Sequence, residues 1–326
     1  MAEPVLAVDI GATKTLIGLF IKNKLKKYIK MATPDEGIEW AIREKIIELF
    51  NKNNINRIEY AGIAAPGPLD YTKGQIVNPP NMKQTTISLI EMMEDIARYV
   101  LIANDTVAGV WAEKTLGKHR SENMVLVSIG SGVGGGVIVD DHLLLGSRGN
   151  AHEIGHIPLN LDEDAPCGCG GQGHWEALAG GVWIPRTAKR LAYNKRLESR
   201  AWRLAYEGSL TPELLFNLAR ENDEFALFAV DYLCRVHGAG IAAVKYAYDP
   251  DLVVLSGGVY LRNKDMMFDR IKRYMRVYLG SIDPPQLYDA SFGEYQSLYG
   301  AYAIIYSPPT GLVHINRHKL APPARG

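Results

Sequence analysis

Residues 4–20, PVLAVDIGATKTLIGLF, decide the fold. Residues 5–8 are a short β-branched and apolar run, Asp9 and Gly11 interrupt it, and residues 16–20 resume it, so the stretch reads as strand, glycine turn, strand. The polar turn Lys22-Asn23-Lys24 leads to a third strand over 25–31 and completes a meander. The same phrase returns at 124–146, MVLVSIGSGVGGGVIVDDHLLLG, with a hairpin turn at Asp140-Asp141, which makes an internal repeat. Between the copies, strands and helices alternate. Ile38, Ile42, Ile46 and Leu49 recur at helical spacing over 36–50. A strand IEYAGIAA, the turn PGPLD, a helix over 87–99 and a strand over 100–103 ending at Asn104-Asp105 follow. This alternation implies an α/β protein with a largely parallel sheet and helices on its faces.

The rest of the chain reads as mostly helical, at 182–194, 211–222, 223–248 and 264–279. A strand over 252–255 ends at Ser256-Gly257-Gly258, and a helix at 294–307 precedes a Pro-rich, basic tail expected to be loosely held. With 326 residues, two domains are the default. They are placed at 1–106 and 107–293, each offering a glycine hairpin to a shared cleft.

Composition excludes several classes of partner. Lys+Arg and Asp+Glu both number 36 and the pI is about 7.1, so no basic face for nucleic acid or an anionic membrane is expected. The opening residues lack the pattern of a signal peptide, and no run of about 18 uncharged apolar residues suggests a membrane span. Two of the three cysteines lie in one CxC, and Cys234 falls in an apolar helical pattern as a packed thiol. A disulfide framework is not supported, so a reducing cytoplasm is the expected compartment.

The turn DIGATKT lacks the spacing of a P-loop or a dinucleotide fingerprint. Gly11 nevertheless lets successive N–H groups face a phosphate, Thr13 and Thr15 offer hydroxyls, and Asp9 can hold Mg²⁺ through water. The second turn, 130–136, is so dense in glycine that close approach of a ligand to the backbone is the better explanation. With Ser256-Gly257-Gly258 these turns fit a nucleotide, its phosphates at the hairpins and its adenosine at the third turn. A branched side chain at Gly132 is expected to obstruct nucleotide far more than sugar. Asp105, at the C-terminal end of a strand, occupies the edge where ligands of open α/β sheets gather, and Asn104 adds an amide able to fix a hydroxyl. Residues 147–176, SRGNAHEIGHIPLNLDEDAPCGCGGQGHWE, bring His156, Cys167, Cys169 and His174 together as a donor set for tetrahedral Zn²⁺. Glu153 and Glu176 alternate with them as acceptors for the hydroxyls of a polyol.

DIGATKT, PGP, NDTVA, IGSGVGGG, EIGH, CGCGGQGHWE and LSGG, in this order and spacing, resemble the ROK sugar kinases of the hexokinase/actin-like ATPase superfamily. The resemblance implies two actin-like (ribonuclease H-like) domains with mixed sheets flanked by helices around a central cleft, the helix near 294–307 returning to the N-terminal domain. It implies ATP-dependent phosphorylation of the 6-hydroxyl of glucose or a related hexose, with Mg²⁺, a structural Zn²⁺ and a homodimer. Carried over by position, Asp105 matches the catalytic base; Asn104, Glu153, His156 and Glu176 match residues that hold the hexose; Gly67 and Asn81 match the wall of the sugar pocket. Asp9, Gly11, Thr13, Lys14 and Thr15, then Gly130, Ser131, Gly132 and Gly134, then Gly257 and Gly258 match the phosphate and adenosine loops. His156, Cys167 and Cys169 match zinc ligands. Here the chain departs from the family pattern, since the usual third cysteine, in GCxE, is His174 in GHWE. Two alternatives stay open: an N-acetylhexosamine (GlcNAc or ManNAc) kinase, because pocket shape decides the 2-position, and a non-catalytic sugar-sensing regulator. The regulator is the lesser expectation, because the first strand begins within the first few residues, where family regulators carry a helix-turn-helix.

Overall fold

The computed structural model describes residues 3–79, 81–161 and 165–318. The chain begins with β1 (Val5–Ile10), β2 (Lys14–Ile21), β3 (Lys24–Ala32), α1 (Ile38–Asn51) and β4 (Ile58–Ala65). Three short strands, β5 (Leu69–Asp70), β6 (Gln75–Val77) and β7 (Thr86–Ser88), precede α2 (Leu89–Met93), β8 (Ala97–Asn104) and α3 (Asp105–Leu116). The repeat supplies β9 (Met124–Ile129), β10 (Val133–Val139) and β11 (His142–Leu143), followed by α4 (Trp175–Ala179), α5 (Ile184–Asn194), α6 (Arg200–Glu207), α7 (Pro212–Arg220) and α8 (Glu224–Tyr248). The chain continues with β12 (Leu252–Ser256), α9 (Gly258–Leu279), β13 (Gln286–Asp289), α10 (Gln296–Tyr306) and α11 (Thr310–Ile315).

Two five-stranded sheets share one plan. The first runs β3-β2-β1-β4-β8 and the second β11-β10-β9-β12-β13. In the first, β1 pairs antiparallel with β2 and parallel with β4, and β4 pairs parallel with β8. In the second, β12 is parallel to both β9 and β13. The hairpin turns also correspond: Lys22-Asn23 and Asp140-Asp141 both hold positive φ at the two central residues, as tight hairpins require. The α/β class with mixed sheets, implied by the family resemblance, is what the chain forms. The largely parallel sheet expected from the alternation of strands and helices holds for β1, β4 and β8, whereas β2 and β3 pair antiparallel because tight hairpins join them to their neighbours.

The chain divides into two compact units. One comprises Met1–Glu122, Gly136–His152 and Ala290–Gly326; the other comprises Asn123–Gly135 and Glu153–Asp289. In the first unit, strand alternation sends Leu6, Val8 and Ile10 to a core with Ile38, Ile42 and Ile46 of α1, while Ala7 joins Phe20, Leu298 and Tyr302 on the other face. This differs from the division expected at 106/107. Helix α3 belongs with the first unit because α10 packs directly on it. Gln296 Nε2 donates to the Gly109 carbonyl at 2.9 Å, and Gly300 sits where a Cβ would lie 2.4 Å from the Ala108 carbonyl carbon. Buried Glu113 accepts from the N–H and hydroxyl of Ser291 at 2.5 and 2.6 Å.

In the second unit, α8 and α9 pack on each other and α9 covers β9 and β12. By length and composition α8 is apolar enough to cross a membrane, but 61% of its apolar window is buried inside the protein, as befits a core helix. Cys234 lies in it, fully buried, its thiol pushed up to about 12 by desolvation.

Two local expectations are corrected. The helix expected over 87–99 is only α2, five residues long. Asp95 takes a left-handed conformation (φ 63°), and residues 97–99 are drawn into β8 by pairing with β4. Within the described residues the tail expected to be loose instead forms α11, with Leu312 and Asn316 buried, and residues 319–326 lie outside the described residues.

Candidate active site

In the first unit the C-terminal ends of β1 and β8 bear the predicted site residues Asp9, Asn104 and Asp105. Asn104 caps α3: its Oδ1 accepts from the Thr106 N–H at 2.9 Å and the Thr106 hydroxyl at 2.7 Å. Asp105, the first residue of the helix, accepts from the Thr106 N–H at 2.8 Å. Burial raises the Asp9 carboxyl to about 7; the Asp105 charge adds to the rise and Lys14 opposes it. Two carboxylates thus share one end of the sheet, the arrangement that invites a cation. In the first glycine turn, the Gly11 N–H closes on the Lys14 carbonyl at 3.0 Å and the Thr33 hydroxyl donates to the Gly11 carbonyl at 2.7 Å. Thr15 is buried and its hydroxyl is shared with Thr33 at 2.9 Å, whereas Thr13 is exposed. Lys14 pairs with Glu294 at 3.3 Å. Gly67 is half-buried after β4, and Asn81 is exposed in the loop between β6 and β7.

The second unit brings three predicted groups together. The Gly130 N–H turns inward to the Gly132 carbonyl at 3.0 Å, and the Gly130 and Ser131 carbonyls accept from the N–H groups of Gly181 and Val182. The Val133 N–H, at the start of β10, donates to Glu176 Oε2 at 2.9 Å. Part of the turn's donor set is therefore committed to the protein itself. The third turn lies beside the second: a Cβ on Gly130 would stand 3.8 Å from the Gly258 nitrogen. Gly257 has φ 93° and its Cα faces the Ile129 backbone, so only glycine fits there. Gly134 sits inside β10.

His156, Cys167, Cys169 and His174 offer donor atoms that all lie within 4.8 Å of one another. The two Nδ1 atoms are 3.3 Å apart, Cys169 Sγ is 3.3 Å from His174 Nδ1, and Cys167 Sγ is 3.7 Å from His156 Nδ1. Zinc distances of about 2.0–2.1 Å to nitrogen and 2.3 Å to sulfur give tetrahedral edges of roughly 3.3–3.8 Å, so the donor set fits that ion. Burial and the neighbouring His156 hold His174 below the ordinary imidazole range, which keeps it a neutral ligand. Burial pushes the Cys167 thiol up to about 11, with Cys169 beside it, a penalty that a divalent cation reverses. The Cys167 N–H donates to Gly171 O at 2.8 Å and Trp175 N–H to Ile157 O at 3.0 Å, which fold the loop around the cluster. His156 Nε2 stays 3.7 Å from Glu153 Oε2, so its two ring nitrogens face different partners.

Some neighbours carry no local sequence signal. Trp175 Nε1 donates to His237 Nδ1 at 3.0 Å, both buried, and so anchors the helix that bears Glu176. Next to the third turn, a cavity of about 310 Å³ is lined by Phe216, Asn217, Arg220, Val259, Arg262 and Asn263, among others. These belong to α7 and α9 and meet only in the fold.

The repeated sheet order defines an α/β protein of the actin-like ATPase fold. The sequence profile of the ROK family matches residues 5–307, and the chain belongs to that family. It is 41% identical over 320 residues to a glucokinase of Aeropyrum pernix, covering 96% of this chain and 99% of that protein. The ROK glucokinase of Streptomyces griseus, in complex with glucose and AMPPNP, superposes with a TM-score of 0.76 at 29% identity, over 91% and 97% of the two chains. The ROK hexokinase of Thermus thermophilus gives 0.75 at 30% identity, over 91% and 96%.

Proposed function

We propose that the chain is an ATP-dependent hexokinase that phosphorylates the 6-hydroxyl of glucose or a close relative. The observation that carries this is the bond from Val133 N–H to Glu176 Oε2, which joins a glycine turn of the nucleotide type to a carboxylate of the hexose type within one unit. Phosphoryl transfer asks little covalent work of a protein and depends on holding donor and acceptor in line. Asp105 takes the proton of the 6-hydroxyl as the new bond forms. Glu153, His156 and Glu176 hold the other hydroxyls, with the Gly67 and Asn81 loops as the pocket wall. Asn104 spends its oxygen on the cap, so its amide Nδ2 is the group left for a hydroxyl.

Asp9 would hold Mg²⁺ through water, and that ion supplies charge for the transferring phosphate. Backbone N–H groups of the glycine turns carry the remainder. The cavity lined by Phe216 and Arg262 takes the adenosine. His156, Cys167, Cys169 and His174 would hold a structural zinc that clamps Glu153 and Glu176 toward the sugar. A homodimer is the assembly that the ROK resemblance implies. A glucokinase that is 41% identical, and a relative solved with glucose and AMPPNP, support glucose and ATP over an N-acetylhexosamine. The test is sugar-dependent ADP release across glucose, mannose, GlcNAc and ManNAc, with ATP, ADP and polyphosphate as donors. Turnover confined to the acetamido sugars would favour the alternative, and none with any sugar would sink the kinase reading.

A further inference from the structure

Strand β8 is the outermost strand of the first sheet, and it delivers Asn104 and Asp105. Along a strand, residues two apart turn their N–H and C=O groups to the same edge. On the edge of β8 away from β4, the Ile102 N–H donates to Asn316 Oδ1 at 3.0 Å and Asn316 Nδ2 donates back to the Ile102 carbonyl at 3.1 Å. One carboxamide thus replaces a missing neighbouring strand. Two residues on, the Asn104 N–H donates to the Tyr71 hydroxyl at 3.3 Å. Asn316 is itself held firmly, for Nδ2 also donates to the Leu312 carbonyl at 2.8 Å, and His318 Nε2 lies 3.2 Å from Oδ1. Since Oδ1 only accepts, Nε2 carries the proton. Burial lowers His318 to about 4, so the ring is neutral. Asn316 is 3% exposed, and it lies outside the span 5–307 matched by the family profile.

We propose that Asn316 is a positioning residue for phosphoryl transfer: by closing the edge of β8 at Ile102, it fixes the line along which Asn104 and Asp105 leave the sheet. This rests on Asp105 being the base. Without the carboxamide, two buried backbone groups lose their partners, and the strand end must shift or admit water. Misplacing a catalytic group by about 1 Å costs roughly 100-fold in rate.

The experiment compares wild type, Asn316→Asp, Asn316→Ala and Asp105→Asn in full-length protein, assayed well below the melting temperature of each. Asn316→Asp keeps the shape but sets an anionic oxygen against the Ile102 and Leu312 carbonyls. The Asn316 variants are expected to lower kcat about 10- to 100-fold with KM for MgATP unchanged. Unchanged kcat with a lowered Tm would make Asn316 merely structural and overturn the proposal. Full turnover in Asp105→Asn would instead remove the base on which it rests, an outcome told apart by that variant alone. Should the Asn316 variants not fold, His318→Phe removes the donor to Oδ1 and His318→Gln restores one. A kcat that falls in Phe and recovers in Gln supports the role, and equal kcat in Phe and wild type overturns it.

Discussion

Gly132 faces the carboxylate of Glu176 so closely that a Cβ on it would lie 2.1 Å from Oε2, the same oxygen that accepts from Val133 N–H at 2.9 Å. The second glycine turn is thus shaped by the glutamate as well as by any phosphate. Its glycine leaves room for a side chain of the protein, a close approach of the kind expected from the glycine density but with a different occupant.

A change at Gly132 should therefore cost hexose affinity and not only nucleotide affinity. Gly132→Val is expected to weaken glucose binding roughly 10- to 100-fold, the equivalent of losing a hydrogen bond to a charged group worth about 1.5–3 kcal/mol. Isothermal titration with glucose and, separately, with a non-hydrolysable nucleotide reads both. Glucose binding unaltered beside lost nucleotide binding would return the turn to phosphate alone.

Asp105→Asn should preserve the fold, because asparagine keeps an oxygen to accept from the Thr106 N–H, a bond of 2.8 Å in the native helix start. Turnover should fall by about 10²–10⁴, the usual contribution of a general base, with the dissociation constant for glucose little changed. Stopped-time assays with titration calorimetry measure both. Retention of more than about half the wild-type kcat would mean that some other group takes the proton.

Asp9 sets a pH dependence whose sign follows from its environment. Its carboxyl is raised to about 7 by burial, with Asp105 adding, so protonation is easier in the folded protein than in the unfolded chain. Ionised Asp9 therefore costs stability. The cost is absent below the unfolded value, grows as pH rises toward about 7 and is complete above it. Asp9→Asn should raise Tm at pH 8 and leave it unchanged near pH 4. With Asp9 as the proposed holder of Mg²⁺, catalysis runs the other way: kcat/KM for MgATP should fall as pH drops below about 7, and Asp9→Asn should flatten that limb at a low level. An acid limb that persists in the variant belongs to another group.

Much of this was legible in the chain, and the parts that were not share a cause. The alternation of Leu6, Val8 and Ile10, and the recurrence of strand, glycine turn, strand at 124–146, are local patterns, and local patterns decide which strands form and how each sheet begins. The four zinc-type donors were legible because one loop carries them all. The contact of Gly132 with Glu176 and the pairing of Ile102 with Asn316 were not, since they join residues 44 and 214 positions apart by packing alone. The helix expected over 87–99 failed where strand pairing outweighs helical spacing, as Ala97 and Tyr99 align with Ile58 and Tyr60 of β4. Helix α3 reads as leaving the first domain, because nothing near it in sequence announces Gln296 and Ser291, which hold it there.

The His174 imidazole should sustain one Zn²⁺ per chain in place of the family's thiolate. The donor atoms stand 3.3–3.7 Å apart along the measured edges, close to a tetrahedron around that ion, so the longer side chain has already been accommodated. His174 is the residue before the helix that carries Trp175 and Glu176, and His156 turns its other nitrogen toward Glu153. Loosening the cluster should therefore first reach Glu153 and Glu176, the carboxylates proposed to hold the sugar. His174→Ala is expected to lower zinc content and raise KM for glucose, about 10- to 100-fold for loss of a ligand or its support, with a smaller change in KM for MgATP through the Glu176–Val133 bond. Elemental analysis of protein purified without chelator gives the metal directly. EDTA treatment followed by excess Mg²⁺ should reproduce the variant's kinetics, and added Zn²⁺ should restore the wild type. Zinc near zero in the untreated protein, with full activity in EDTA once Mg²⁺ is restored, would leave the two histidines and two thiols without a structural role for metal.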